Sequence, residues 1–348
     1  MSKKLLYIDR ITGERLSRDK LTFTQSGLIT FLKDSNSFGE VSRSAWESSY
    51  LSKYGKRQDE KKQNNLSRFT SSLLKKRIRS WPYFSHLFRF ASTLNVGTPI
   101  LEVGCGTAKT SLWLAREFGL VPYGIDFSEA AILEASCGFL ENGLDPLNLS
   151  VTDVTALPFD NDAFPLVFGK TVFEHFDYPD IAVREIFRVT SKDGCVVMDV
   201  PNSRNSFLRG ATLRYLNQPY TTNTYTIEEF RSFFENDNFE ILETWGSWII
   251  YTTPAILLNE LFRFLKKSKQ TTKSISTTDD NNLSFTKSIG SRDIRYRILI
   301  FPLVLVDKIF KMVLRFFNEF CDRIGLVTET NGRLIGLVAK KSSNNLIG

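Results

Sequence analysis

The sequence predicts an α/β fold built on a parallel sheet with helices on both faces, and two observations predict it. From Pro99 onward, short β-branched runs alternate with longer segments of helical period. That order builds parallel sheets, because each return to the sheet crosses over through a packed helix. The first strand run also ends in a glycine-rich turn, Gly104-Cys105-Gly106, that leads into a helical segment. Doubly wound sheets bind their ligands at such a turn.

Taken in order, the elements are a strand at ILEV, a helix over 110–118, a strand at VPYGID and a helix over 128–138. Strands at LSVTD and PLVFG, a helix over 180–189 and a strand at CVVMDV complete the alternation. The segment 226–236 reads as a helix with Thr226 as N-cap and Glu228 and Glu229 in its first turn, followed by a strand at FEILET. A last strand, RLIGLVAKK, follows the Asn331-Gly332 turn pair. Between those last two strands lies an insertion of roughly 80 residues, longer than an ordinary connection. The expected organisation is a basic, mostly helical N-terminal extension over 1–95, an α/β domain over 96–246 and 330–342, and a helical insertion over 247–329.

The chain of 348 residues is 42% hydrophobic and 24% charged, with 29 Phe. This composition excludes a disordered or collagenous chain. Four scattered cysteines without a C-x-x-C pair, and two histidines, do not supply a structural zinc site, so no metal is expected. The N-terminus breaks into charge before an apolar signal region forms, which places the chain in the cytoplasm. Residues 86–262 hold 11 Lys and Arg against 23 Asp and Glu, whereas 1–85 hold 18 against 8 and 263–323 hold 13 against 6. Basic flanks around an acidic middle suit contact with an anionic surface such as phospholipid or nucleic acid; solvated charge is the alternative.

The glycine turn discriminates among cofactors. A dinucleotide loop needs a third glycine where Lys109 stands, and a pyrophosphate disfavours Glu102 just before the first glycine. No P-loop pattern is present. An acid before G-x-G suits a ligand that presents a cation, such as the amino group of the methionine moiety in S-adenosylmethionine. Asp126 closes the second strand, about 20 residues past the glycines, where an acid can accept from both ribose hydroxyls. Phe127 beside it can lie against adenine, while Asp153 and the Val154 N–H can read the adenine edge. Asp126 as an N-cap companion of Ser128 is the structural alternative.

These stretches, ILEVGCGTA, GIDFSEAAI, DVTALPFDNDAF, VFEHFDYPD, EIFRVTSKDGCVVMDVPN, TYTIEEFRSFFENDNFEIL and GRLIGLVAKK, resemble the class I S-adenosylmethionine-dependent methyltransferases, in particular the ubiquinone- and menaquinone-pathway type. The resemblance covers 96–246 and 331–341. It implies a Rossmann-like seven-stranded sheet whose last two strands are an antiparallel pair, and S-adenosyl-L-methionine as cofactor. It implies cofactor contacts at Glu102, Gly104, Cys105, Gly106, Asp126, Phe127, Asp153, Val154 and Lys170. Ala108 departs from the family where a third glycine is common, and Pro165 where an aspartate is usual. Lys170 follows the fourth strand, where the family touches the methionine part mostly through backbone; a solvated lysine is the alternative. His175, in VFEHF, falls where the methyl acceptor approaches and is the candidate general base, with anchoring of its loop as the alternative. His86 reads as structural.

Base methylation of nucleic acids leaves marks that this chain lacks: Lys170-Thr171-Val172-Phe173 replaces an Asn/Asp-Pro-Pro-aromatic turn, and no cysteine follows proline. In the insertion, Lys308, Lys311, Arg315, Asn318 and Asp322 recur at three to four residues opposite Ile309, Phe310, Val313, Phe317, Phe320 and Ile324. A basic polar face with a Phe-rich apolar face suits an in-plane membrane helix, which makes 248–324 a candidate contact with an anionic membrane surface and the chain peripheral there. A lid or dimer element needs the same amphipathicity. The expected function is O-methylation of a small-molecule or lipid-linked acceptor. The alternatives are an RNA methyltransferase that uses the basic N-terminal region, and a cofactor-binding module without turnover.

Overall fold

In the computed structural model of the chain, the described residues are 7–31 apart from 11, 13, 18 and 19, then 81–205, 223–247, 313, 317, 321, 327–329 and 332–342. The chain divides into two units. The first comprises Met1–Arg204, Pro219–Ser247 and Thr328–Gly348. Almost all of the second, Asn205–Gln218 with Trp248–Val327, lies outside the described residues. So does the amphipathic helix expected over 306–324, except that Val313, Phe317 and Cys321 are helical.

The first unit is a seven-stranded sheet. Its elements are α1 (Pro82–Ala91), β1 (Pro99–Val103), α2 (Lys109–Phe118), β2 (Val121–Asp126), α3 (Glu129–Glu141), β3 (Leu149–Val151) and β4 (Phe164–Lys170). They continue with α4 (Pro179–Val189), β5 (Thr190–Pro201), α5 (Ile227–Asn236), β6 (Phe239–Ser247) and β7 (Leu334–Lys341). The strand order is β3-β2-β1-β4-β5-β7-β6. Strands β1 to β5 pair in parallel, and β7 runs antiparallel to both of its neighbours. The sequence is therefore an α/β chain with a mixed sheet of the methyltransferase type.

Side chains alternate along each strand, and this alternation builds two cores. Leu101, Val103, Val167, Val196, Met198 and Val200 join one cluster with α4 and α5 through Val183, Ile186, Phe230 and Phe234. Ile100, Leu166, Phe168, Cys195 and Val197 join the opposite cluster with α1 and α2 through Tyr83, Leu87 and Leu114. Helices thus cover both faces. Helix α5 begins as the sequence predicts: Thr226 Oγ1 accepts the Glu229 N–H, and the Glu229 carboxylate accepts the Thr226 N–H, a capping box.

Of the N-terminal extension expected over 1–95, residues 1–6 and 32–80 lie outside the described residues. Of the described residues before 96, only α1 is an α-helix, whereas 7–31 form isolated bridges. Tyr7 pairs with Phe159 and Thr30 with Val151, so this segment lies along the β3 edge of the sheet. Backbone N–H groups of Phe31 and Val151 donate across that edge at 3.0 and 2.8 Å. The buried Tyr7 ring stacks on Phe159, 5.2 Å between centroids, and anchors the segment in the same core as the sheet. Covering an otherwise open strand edge gives those residues partners that a solvated helix does not supply.

Candidate functional site

The ends of β1, β2 and β4 open onto a cleft lined by Val103, Gly104, Ile125, Asp126, Phe127, Thr152, Val154, Lys170, Thr171, Val172, His175 and Phe176. The cleft holds a cavity of about 160 Å³, smaller than the few hundred Å³ usual for a small-molecule site. Parallel strands that end together and turn into helices create such a crevice at the switch point of the sheet.

Six of the expected residues line it: Gly104, Asp126, Phe127, Val154, Lys170 and His175. Gly104 has φ +63°, and a Cβ built there would lie 2.1 Å from Val172 Cγ2, so only glycine lets the turn pass this close to the loop after β4. Asp126 is buried, and its carboxylate accepts the Gly106 N–H at 2.8 Å and the Ser128 N–H at 2.9 Å. The acid thereby ties the glycine turn to the start of α3. Ser128 is the N-cap of that helix, its Oγ accepting the Ala131 N–H. Asp126 thus orders the loop and lines the cleft.

Four expected residues do not line the cleft. Glu102 is 4% exposed. Its Oε2 accepts both the N–H and the Oγ–H of Ser111, at 3.1 and 2.6 Å, which directs the carboxyl toward α2. Burial pushes its pKa up to about 7, opposed by those Ser111 hydrogen bonds, while the nearby Asp126 charge raises it further. The Cys105 side chain packs with Ala108, Ile132 and Val151 in a third cluster, and burial raises its thiol pKa. Gly106 contributes its N–H to Asp126 and no lining surface. Asp153 caps the short turn after β3, its Oδ1 accepting from both the N–H and the hydroxyl of Thr155 at 2.8 Å.

His175 ends a 3₁₀ turn, Phe173–His175, whose backbone closes on Val172. Its Nε2 lies 3.9 Å from Glu174 Oε1. Thr171, between Lys170 and this turn, holds a left-handed φ of +48°. Asp199 accepts the Thr171 N–H at 2.7 Å, which fixes the strained residue at the rim. The sequence reading missed Asp199; its signal is an acid in an otherwise apolar strand run, VVMDV. His86, expected to be structural, stacks on Trp245 at 4.4 Å and pairs with Glu243 at 2.8 Å. Among the described residues, no helix is long and apolar enough to cross a membrane.

Residues 101–198 match the family described as a methyltransferase domain. The chain is similar to the 2-methyl-6-phytyl-1,4-hydroquinone methyltransferase of Synechocystis sp., at 27% identity over 47% of this chain and 54% of that protein. It is similar to a probable fatty acid methyltransferase of Pseudomonas putida, at 30% identity over 33% of this chain and 29% of that protein. Among solved structures, a phosphoethanolamine N-methyltransferase 2 of Haemonchus contortus aligns with TM-score 0.45 and 17% identity, covering 75% of this chain and 52% of the other. The first curated relatives are matched over 37% to 63% of their own length. Within the seven-stranded sheet with its antiparallel β7, residues 101–198 are thus similar to methyltransferase domains.

Proposed function

We propose that the chain transfers a methyl group from S-adenosylmethionine to an oxygen of a small-molecule or lipid-linked acceptor. One observation carries this reading: a single cleft at the strand ends combines Gly104, Asp126, Phe127, Val154, Lys170 and His175. Those groups fit the cofactor. A buried acid suits ribose hydroxyls, the Phe127 ring and the apolar Ile125 and Val154 suit adenine, and Lys170 suits a carboxylate. The cofactor supplies an activated methyl group on a sulfonium. The protein contributes orientation and exclusion of water.

Asp126 holds the ribose, Phe127 and the Val154 N–H hold the base, and Asp153 supports that turn as its cap. Gly104 lets the chain approach the ligand closely, while Gly106 and Cys105 shape the turn behind it. His175 takes the proton from the acceptor hydroxyl at the cleft wall. For the acceptor, support comes from relatives whose names specify a phytyl hydroquinone and a fatty acid. A quinone-pathway type of acceptor agrees with both this and the sequence resemblance. The basic, Phe-rich pattern of 306–324 supports contact of the insertion with an anionic membrane surface.

The test is transfer of radiolabelled methyl from S-adenosylmethionine into fractionated extracts. Label in the organic phase, stable to amine-specific chemistry and lost in the His175→Gln variant, is the expected result. Label in the RNA fraction, with steep salt dependence, refutes the acceptor class. Cofactor binding without transfer to any fraction refutes turnover.

A further inference from the structure

The turn that brings Val154 to the cleft is held at both of its ends by the segment 7–31, which lies outside the matched residues 101–198. Before the turn, β3 ends at Val151, whose N–H donates to the Ile29 carbonyl at 2.8 Å and whose carbonyl accepts the Phe31 N–H at 3.0 Å. Beyond it, the Ile8 N–H donates to the Pro158 carbonyl at 2.9 Å, and Tyr7 stacks on Phe159. Thr152 and Val154, which line the cleft, therefore lie on a short span between two fixed points.

Arg10 adds charge to the second point. Its guanidinium forks onto the Glu185 carboxylate of α4, at 2.7 Å to Oε2 and 3.3 Å to Oε1. The same Oε2 accepts the N–H of Leu157 at 2.9 Å, and Leu157 directly follows the 3₁₀ turn Val154–Ala156. Arg188, one turn further along α4, also pairs with Glu185 and donates to the carbonyls of Leu157 and Phe159 at 2.7 and 2.6 Å. Glu185 is 7% exposed, and a buried carboxylate forked by two guanidiniums has little room to turn. Arg188 holds the carbonyls of this stretch, while Glu185, fixed from its other side by Arg10, holds the N–H.

We propose that Arg10 is a positioning residue for the adenine end of the cofactor: through Glu185 and the Leu157 N–H it fixes the turn on which the Val154 N–H meets the base. The inference rests on the cofactor reading above. It adds that the segment 7–31 sets the selectivity of the cleft as well as covering a sheet edge. Adenine presents N1 as an acceptor, whereas hypoxanthine carries a hydrogen there. A single main-chain donor tells the two apart only when its distance and direction are held, because hydrogen bonds weaken steeply off axis.

The test titrates S-adenosylhomocysteine and S-inosylhomocysteine, its hypoxanthine counterpart, into full-length wild type, Arg10→Met and Arg10→Lys. Methionine keeps an apolar stem without donors, and lysine keeps the charge without the fork. Wild type should bind S-adenosylhomocysteine about tenfold or more tighter than S-inosylhomocysteine. Arg10→Met should narrow that ratio about fivefold, chiefly by weakening S-adenosylhomocysteine, and Arg10→Lys about two- to threefold. Ligand-free Arg10→Met should melt only slightly lower, since Arg188 still holds Glu185 and both carbonyls. If Arg10→Met does not fold, the ratio in Arg10→Lys decides. Equal weakening of both ligands makes Arg10 a structural anchor only and overturns the proposal, as does an unchanged ratio or a wild type that binds both ligands alike. Failure of the wild type to bind S-adenosylhomocysteine would instead remove the cofactor reading, and the proposal with it.

Discussion

Replacing Glu102 by Gln should make the protein more stable at pH 8 and leave it nearly unchanged at pH 4. In the folded chain the Glu102 carboxyl is buried and its pKa stands at about 7, raised from 4.5 mainly by desolvation. The folded state therefore holds a proton that the unfolded state has released. Stability is intact below about pH 4.5, falls as pH rises toward about 7, and stays low above that. At 1.36 kcal/mol per pH unit, a window of roughly 2.5 units corresponds to about 3 kcal/mol. Glutamine mimics the protonated acid: its amide oxygen can still accept both Ser111 bonds, and no charge is buried. Asp199, also raised by burial, is present in both proteins and cancels in the comparison.

The assay is thermal unfolding of wild type and Glu102→Gln from pH 4 to pH 8. For domains of about 150 to 250 residues, each kcal/mol moves the midpoint by roughly 2–4 °C. The two midpoints should nearly coincide at pH 4 and separate by several degrees at pH 8, with the variant higher. Parallel curves across the range would refute the assignment of a buried, near-neutral-titrating carboxyl to this position.

Two other substitutions test the cleft. Gly104→Ala places a methyl 2.1 Å from Val172 Cγ2 at a φ of +63° and should cost roughly 2–4 kcal/mol by overpacking and left-handed strain; calorimetric unfolding reads it. Adding Val172→Ala should recover part of that loss, because the Val172 Cβ remains at 2.8 Å, and an unaffected Gly104→Ala protein would contradict the close approach. His175→Gln should lower the transfer rate by about 10²- to 10⁴-fold and abolish the acid limb of the pH profile. A drop in melting temperature with the profile shape preserved would instead make His175 an anchor of its loop.

Much of the fold is legible because its signals are local. The strand runs ending at Val103, Asp126 and Lys170 are bounded by glycine and charge, and the Thr226 to Glu229 capping box lies within four residues. The antiparallel β7 followed from family resemblance, since nothing in RLIGLVAKK alone specifies its direction. What stayed hidden depends on partners distant in sequence. Tyr7 finds Phe159, and Thr30 finds Val151, through single bridges that leave no periodicity to read. The acid at Glu102 is visible in the sequence, but its hydrogen bonds to Ser111 emerge only when α2 turns back over the strand end.

The central claim is that the strand-end cleft holds S-adenosylmethionine through Asp126. Calorimetric titration of S-adenosylmethionine into wild type, Asp126→Ala and Asp126→Asn tests it most directly. The asparagine variant keeps one oxygen, which can still accept one of the Gly106 and Ser128 N–H groups that Asp126 Oδ2 and Oδ1 hold. Micromolar binding by wild type, weakened tenfold or more in both folded variants, about 1.4 kcal/mol, is the predicted result. No binding to folded wild type, or equal binding by all three proteins, would contradict it.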